Sequence, residues 1–353
     1  MRLLLITNDY PPKAGGIQQY LHHLVEAWPD AVHVIAPADA NAEPDEQVSR
    51  FASTFTWPTT AVGNRALEVA RVFEPEALLF GAPYPLPMLG PRLRRELGVP
   101  YGILAHGAEV TMPGAAPGAR QMIGKLLADA DVRFAVSRFT ADRVQRITGR
   151  QVDLVGAGVD VDAFKPPPEA GHAVPVVGCV SRFVPRKGQH RLLEAVSLLD
   201  RPAEVLLVGK GRKEPALRRQ AKRLDVPARF VIDPPWDALP DLYRSMDVFC
   251  MPCSSRWGGI EVEGLGLVFL EASSTGLAVL AGDSGGSSET VVPGETGYIV
   301  RSVADIVDGL TILLDDEERA GEMGEAGRRF VEDNFTWDRA VARFQAGFDA
   351  VVS

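Results

Sequence analysis

Short apolar runs that end in glycine- or proline-rich loops recur through this chain, each followed by apolar residues at helical spacing. Residues 2–6 read as a strand buried on both faces, because Leu3, Leu4, Leu5 and Ile6 follow one another with no polar residue alternating. A loop over residues 8–16 follows. Ile17, Tyr20, Leu21, Leu24, Val25 and Trp28 then fall on one helical face, and Val32–Ala36 reads as the next strand. Strand, glycine loop, helix and strand in that order make a parallel pair with a crossover helix, and Gly15-Gly16 stand where the helix N-terminus opens. Further strands are expected at Ala77–Phe80 and Tyr101–Ala105, and a helix from Ser137, whose hydroxyl suits an N-cap.

The pattern breaks at residues 156–168, where glycines give way to Phe164-Lys165 and three prolines, and then restarts. Strands are expected at 174–180, Glu204–Val208, 229–232, Val248–Met251 and 278–281, helices at 192–199 and 213–224, and a mostly helical end over 302–352. With 353 residues the chain exceeds what one core usually organises. The fold class read from it is α/β, with two Rossmann-like doubly wound domains, 1–160 and 161–337. Ligands are expected at the carboxyl ends of the strands, in a central cleft that the two domains face.

The net charge of −9 argues against a general nucleic-acid binder. Residues 182–229 nevertheless hold 13 Lys and Arg against 5 Asp and Glu, while 305–338 hold 3 against 11. One basic zone set in an acidic chain suits a small anionic ligand. Cys179, Cys250 and Cys253 are too few for a disulfide framework, and the lone CxxC lacks a second pair or ligand-spaced histidines, so they read as buried small residues. The apolar opening stops at Thr7-Asn8-Asp9, too soon for a signal peptide, and no run approaches the roughly 18 apolar residues of a membrane-spanning helix. The protein is expected to be cytoplasmic, with peripheral contact at the inner face of the cell membrane as the limit of its membrane involvement.

Four loops carry candidate chemistry. Arg182 and Lys187 leave a strand end and precede a helix, where a diphosphate meets two fixed cations and a helix N-terminus; incidental surface cations would show the same spacing. Glu263 and Glu271 flank Gly264, Leu265 and Gly266; the first carboxylate would sit in a loop beside exposed amides, suited to sugar hydroxyls, and the second in a helix, suited to a ribose diol. His106 ends a strand, although an isolated histidine there is more often structural. The stretch Gly282-Asp283-Ser284-Gly285-Gly286-Ser287-Ser288-Glu289 reads equally as a ligand loop or as a turn opening a helix. The D-x-D pairs at 129–131 and 160–162 lie in a helical stretch and in the break between domains, poor places for a metal–nucleotide site.

Taken together, Thr7-Asn8-Asp9-Tyr10-Pro11-Pro12 running into Gly15-Gly16-Ile17-Gln18, Val184-Pro185-Arg186-Lys187-Gly188-Gln189, and residues 262–271 resemble the retaining glycosyltransferases of the GT-B fold over nearly the whole chain. Within that class they look like the actinobacterial GDP-mannose-dependent phosphatidylinositol mannosyltransferases. The resemblance implies that Arg182 and Lys187 hold the donor diphosphate and that Glu271 binds the ribose. Glu263 with the amides of Gly264, Leu265 and Gly266 would hold the transferred sugar. Gly16 would offer an amide to phosphate or sugar, His106 would sit near the reacting sugar as a positioning group, and Asp9 and Gly15 would lie on the acceptor side. It further implies a final helix, about 338–353, packed back on the first domain. It also implies front-face transfer in which the departing phosphate takes the acceptor proton, and no divalent metal or other cofactor. The partners implied are a nucleotide-sugar donor and a lipid or glycan acceptor, with no nucleic acid; a lipid acceptor would need a face suited to an anionic membrane, for which the stretch 91–97, with Arg92, Arg94 and Arg95, is a candidate that otherwise reads as a solvated helix face. The turn after Phe230 lacks the family's usual glycine, which leaves guanine, uracil and adenine as alternatives for the base. Rival readings are a related transferase acting on a soluble sugar or glycan, a non-catalytic nucleotide-sugar binder, and a dehydrogenase, which would need a G-x-G-x-x-G after the first strand.

Overall fold

The computed structural model describes residues 1–13, 15–111, 118–167 and 172–352. The chain forms two compact units, Met1–Gly158 with Trp337–Ser353, and Val159–Thr336.

The first unit holds a parallel sheet of seven strands among the described residues. These are β1 (Leu3–Ile6), β2 (Val32–Ala36), β3 (Val48–Arg50), β4 (Ala77–Phe80), β5 (Tyr101–Ala105), β6 (Val132–Ala135) and β7 (Asp153–Leu154), in the order β3-β2-β1-β4-β5-β6-β7. The inner strands β1, β4 and β5 are buried at every position, as strands covered by helices on both faces must be. The short, more polar edge strands β3 and β7 offer no apolar run, and the sequence gives no sign of them. Ser137 caps the helix Arg138–Thr148, its hydroxyl accepting from the Thr140 amide. The final helix, Trp337–Val352, lays Phe344 and Phe348 against Phe134 of β6, with ring centroids 4.6 and 5.2 Å apart. Trp337 belongs to this first unit rather than to the second as its expected bounds had it, because its ring packs on Gly158, where a side chain would fall 2.3 Å from it. Pro168, at the end of the expected interdomain break, lies outside the described residues.

The second unit has a parallel six-stranded sheet among the described residues. It contains β8 (Val176–Val180), β9 (Glu204–Val208), β10 (Ala228–Val231), β11 (Val248–Met251), β12 (Ala278–Gly282) and β13 (Gly297–Val300), in the order β10-β9-β8-β11-β12-β13. β8 starts two residues later than its apolar run. Pro175 has no amide to donate, and the Val176 amide is taken by the Asp247 carboxylate at 2.7 Å. The helix expected at 192–199 is Gln189–Val196, because Gly188 opens it and its first buried residue is the polar Gln189. The helical end divides into Val303–Asp315, Glu317–Asn334 and Trp337–Val352.

In each unit the strand order reverses next to the first strand, between β1 and β4 and between β8 and β11. Crossover helices lie on opposite faces on either side of such a point, so the loops leaving those strands part and leave a crevice beyond their carboxyl ends. The loops carrying Gly15-Gly16, Arg182–Lys187 and Glu263 all leave these strands.

Candidate active site

The loop after β8 is held from both ends. Gly188 takes a left-handed φ of 78°, and a Cβ there would fall 2.1 Å from the Pro252 carbonyl, so only glycine lets the loop lie against the segment after β11. The Gln189 side chain donates to Ser181 Oγ at 2.8 Å and to the Arg182 carbonyl at 2.9 Å, which fixes the loop's start. Lys187 is buried, with Nζ 2.8 Å from Glu263 Oε2. Arg186 Nη1 hydrogen-bonds the same oxygen, and its Nε lies 3.7 Å from Glu261, which also faces Arg256 at 3.5 Å. The Arg182 side chain is exposed and has no ion-pair partner among the described residues. Among the described residues three cations, Arg186, Lys187 and Arg256, thus pair with two carboxylates, Glu261 and Glu263, and the unpaired Arg182 on the same loop adds to the surplus of positive charge for an anion.

Burial alone would push the Glu263 carboxyl up; the Lys187 and Arg186 charges, with their hydrogen bonds, outweigh it and hold the carboxyl down at about 2. The backbone of Glu263 is fixed as well. Its amide donates to Ser284 Oγ at 3.1 Å, and its carbonyl accepts from the Gly286 amide at 3.0 Å. The loop after β12, open to two readings from sequence, therefore serves as the brace behind Glu263.

Gly266, with φ at 91°, opens the helix Leu267–Ser274; Gly264 does not adopt a positive φ. A side chain on Gly266 would fall 2.6 Å from the Phe269 ring. Glu271 projects from the middle of this helix and is buried. The Tyr243 hydroxyl donates to its Oε2 at 2.6 Å. Burial pushes the Glu271 carboxyl up to about 7, against the pull of the Tyr243 hydrogen bond and the Lys187 charge. At the expected base turn, Asp233 takes the left-handed conformation itself, with φ at 50°, and pairs with Lys210 at 2.6 Å; aspartate tolerates that region where bulkier residues do not.

In the first unit, Gly15 precedes and Gly16 begins the helix Gly16–Ala27, whose first amides have no partner within the helix. Asp9 is engaged, its Oδ1 accepting from Gln18 at 2.6 Å and Lys13 at 2.8 Å. His106 is buried beside the edge of the Tyr20 ring, and its Nε2 lies 3.0 Å from the Gly81 carbonyl. A carbonyl only accepts, so Nε2 carries the proton in this contact.

Sequence reasoning passed over Arg186, Tyr243 and Ser284. No local spacing marks them, because their partners lie far off in sequence: Glu263 for Arg186 and Ser284, and Glu271 for Tyr243. The three cysteines are buried and free. Asp131 is spent on Arg94 and the Tyr101 amide, and Asp160 on an Asx turn to Asp162 and Ala163.

Residues 14–163 match the family Glycosyltransferase Family 4, and residues 160–330 match Glycosyl transferases group 1. The chain is 38% identical, over 97% of its length, to the GDP-mannose-dependent alpha-(1-6)-phosphatidylinositol monomannoside mannosyltransferase of Mycolicibacterium smegmatis, 96% of which is covered. The chain belongs to the group 1 glycosyltransferases. Another relative of this glycosyltransferase, 35% identical over 96% of the chain and 95% of the relative, is the GDP-mannose-dependent monoacylated alpha-(1-6)-phosphatidylinositol monomannoside mannosyltransferase of Corynebacterium glutamicum. Its fold is that of Anabaena HepE, solved with UDP and glucose (TM-score 0.79, 19% identity, 99% of this chain and 100% of that one). The same fold occurs in the sucrose-phosphate synthase of Thermosynechococcus elongatus (TM-score 0.81, 21% identity, 99% of both chains). The glycosyltransferase therefore has the GT-B fold, with two Rossmann-like units.

Proposed function

We propose that this glycosyltransferase moves mannose from GDP-mannose to a phosphatidylinositol monomannoside lipid, with retention at the anomeric carbon and without a divalent metal. The observation that carries the reading is near-full-length likeness to mannosyltransferases of that specificity, in a chain whose switch-point loop gathers surplus cations around Glu263. In this reading Arg182 and Lys187 grip the diphosphate, and Arg186, preoriented by Glu263, adds to the positive field where charge develops as GDP leaves. Those cations supply what a metal would otherwise supply. Glu263 stays ionised at neutral pH, so it cannot protonate the leaving group; it accepts hydrogen bonds from the sugar, whose other polar contacts are the amides of Gly264, Leu265 and Gly266. Glu271 takes the ribose diol, Gly16 offers its amide to the phosphate, and His106 holds a sugar hydroxyl through Nδ1. The bond from C1 to the phosphate oxygen breaks as the acceptor oxygen bonds C1 on the same face. The acceptor proton passes to the departing phosphate.

The lipid acceptor requires contact with a bilayer. Among the described residues no helix is long and apolar enough to cross one. Within the candidate basic patch, Arg92 pairs with Glu96 at 2.8 Å and Arg94 with Asp131 at 2.7 Å. Exposed Phe55, Trp57 and Tyr84 form an edge-to-face run with centroids 5.4 and 6.1 Å apart, with half-exposed Met88 nearby in sequence, and aromatic residues of this kind favour the headgroup region. Peripheral membrane contact through this run is part of the proposal. A thermal-shift panel of GDP-, UDP- and ADP-sugars tests the donor: GDP-mannose should give the largest rise in Tm, and a larger rise with a UDP- or ADP-sugar overturns it.

A further inference from the structure

We propose that Tyr243 is a positioning residue for the donor nucleotide: its hydroxyl pins one oxygen of Glu271 and leaves the other for the vicinal diol of the ribose. The inference rests on the proposed role of Glu271 and goes beyond it.

Tyr243 lies on the short helix Leu239–Arg244 and is fully buried. Its ring is wedged between Phe164 and Phe249, at centroid distances of 5.6 and 5.7 Å, so the hydroxyl has one place to be. A phenol has one proton to give. The 2.6 Å contact to Glu271 Oε2 outranks the alternative at 3.4 Å to the Val268 carbonyl. Glu271 Oε1 has no partner among the described residues. One oxygen is thus anchored by a side chain that cannot swing away, and the other is left to accept.

The carboxylate must be ionised to accept two ribose hydroxyls, and burial opposes that. The groups acting on it are few. Tyr243 donates from its own helix, Lys187 contributes its charge from the loop after β8, and Cys179 of β8 faces Tyr243. Arg328, from Glu317–Asn334, spends a hydrogen bond on the Ser274 carbonyl further along the Glu271 helix rather than on the carboxylate. Removing the Tyr243 hydroxyl therefore has two consequences. The carboxylate is released to rotate, and its ionised form loses the donor that Tyr243 supplies, so the pH below which the nucleotide is lost moves up.

The experiment is calorimetric titration of GDP and of 2′,3′-dideoxy-GDP into wild type, Tyr243→Phe, Glu271→Gln and the double variant, from pH 6 to 9. Tyr243→Phe should weaken GDP by about 10- to 100-fold at pH 7, as for a hydrogen bond to a charged group. It should shift the midpoint of the pH dependence upward and raise the donor KM more than it changes kcat. The dideoxy nucleotide, which has no diol, should show neither effect, and on the Glu271→Gln background, where no carboxylate titrates, Tyr243→Phe should leave the pH profile unmoved. If Tyr243→Phe does not fold, 3-fluorotyrosine at position 243 keeps the shape and donates more strongly, and should move the midpoint downward. Equal losses for GDP and its dideoxy counterpart, or an unmoved pH profile, overturn the inference while leaving the donor reading intact. A wild type that binds no nucleoside diphosphate overturns both.

Discussion

Replacing Glu271 by glutamine should stabilise the donor-free protein, and the gain should depend on pH in a way fixed by burial. The Glu271 carboxyl is raised from its ordinary 4.5 to about 7 because the folded chain removes it from water. Below 4.5 the group is neutral in both folded and unfolded chains and contributes no penalty. Between 4.5 and 7 the folded chain keeps a proton that the unfolded chain has released, so stability falls as pH rises, and above 7 the loss is complete. At about 1.4 kcal/mol per unit, the difference amounts to about 3 kcal/mol at pH 8. For a unit the size of Val159–Thr336 that corresponds to about 6–12 °C in Tm. Glutamine keeps the shape and still accepts from Tyr243, but it does not titrate. Melting both proteins without nucleotide from pH 5 to 8 should give a difference that starts small and widens steadily to the alkaline side. Parallel curves would refute the claim that burial of the Glu271 carboxylate is only partly compensated by Tyr243 and Lys187.

Alanine at Lys187 or Arg182 should cut mannosyl transfer by about 100-fold or more, because each removes a fixed charge from the leaving diphosphate; labelled-mannose transfer measures it, and unchanged turnover removes the role assigned to that residue. Transfer should persist in excess EDTA, and activity that vanishes there and returns only with a divalent ion would show that the side-chain cations do not suffice. Wild type should sediment with phosphatidylinositol-containing vesicles, and Trp57→Ser should sediment less while its response to GDP in the thermal-shift assay is unaltered; equal sedimentation of the two proteins moves the membrane contact elsewhere.

The inner strands were legible because burial on both faces demands an unbroken apolar run, and β1, β4, β5 and β11 have one. The edge strands β3 and β7 are buried on neither face and carry no such mark. Helix ends were misjudged where a polar residue is the buried one, as at Gln189, which periodicity counts as outside. Within the site, the Arg182/Lys187 and Glu263/Glu271 spacings stood out, yet Arg186 was passed over although it shares a carboxylate oxygen with Lys187. Nothing local distinguishes its guanidinium from that of Arg182; the difference is that one meets Glu263, 77 residues away, and the other meets solvent.

What the sequence determined by itself is the architecture: apolar runs, glycines at left-handed turns and helical spacing are local properties, and each imposes its conformation wherever it sits. Which charges meet was decided only by the tertiary structure. Because β8 lies beside β11, with β9 and β10 on its other side, the Lys187 loop and the Glu263 loop leave neighbouring strands though two strands separate them in sequence. The same packing sets Tyr243 against Glu271, 28 residues on, and makes one carboxylate a fixed anion near 2 and the other a titrating group near 7.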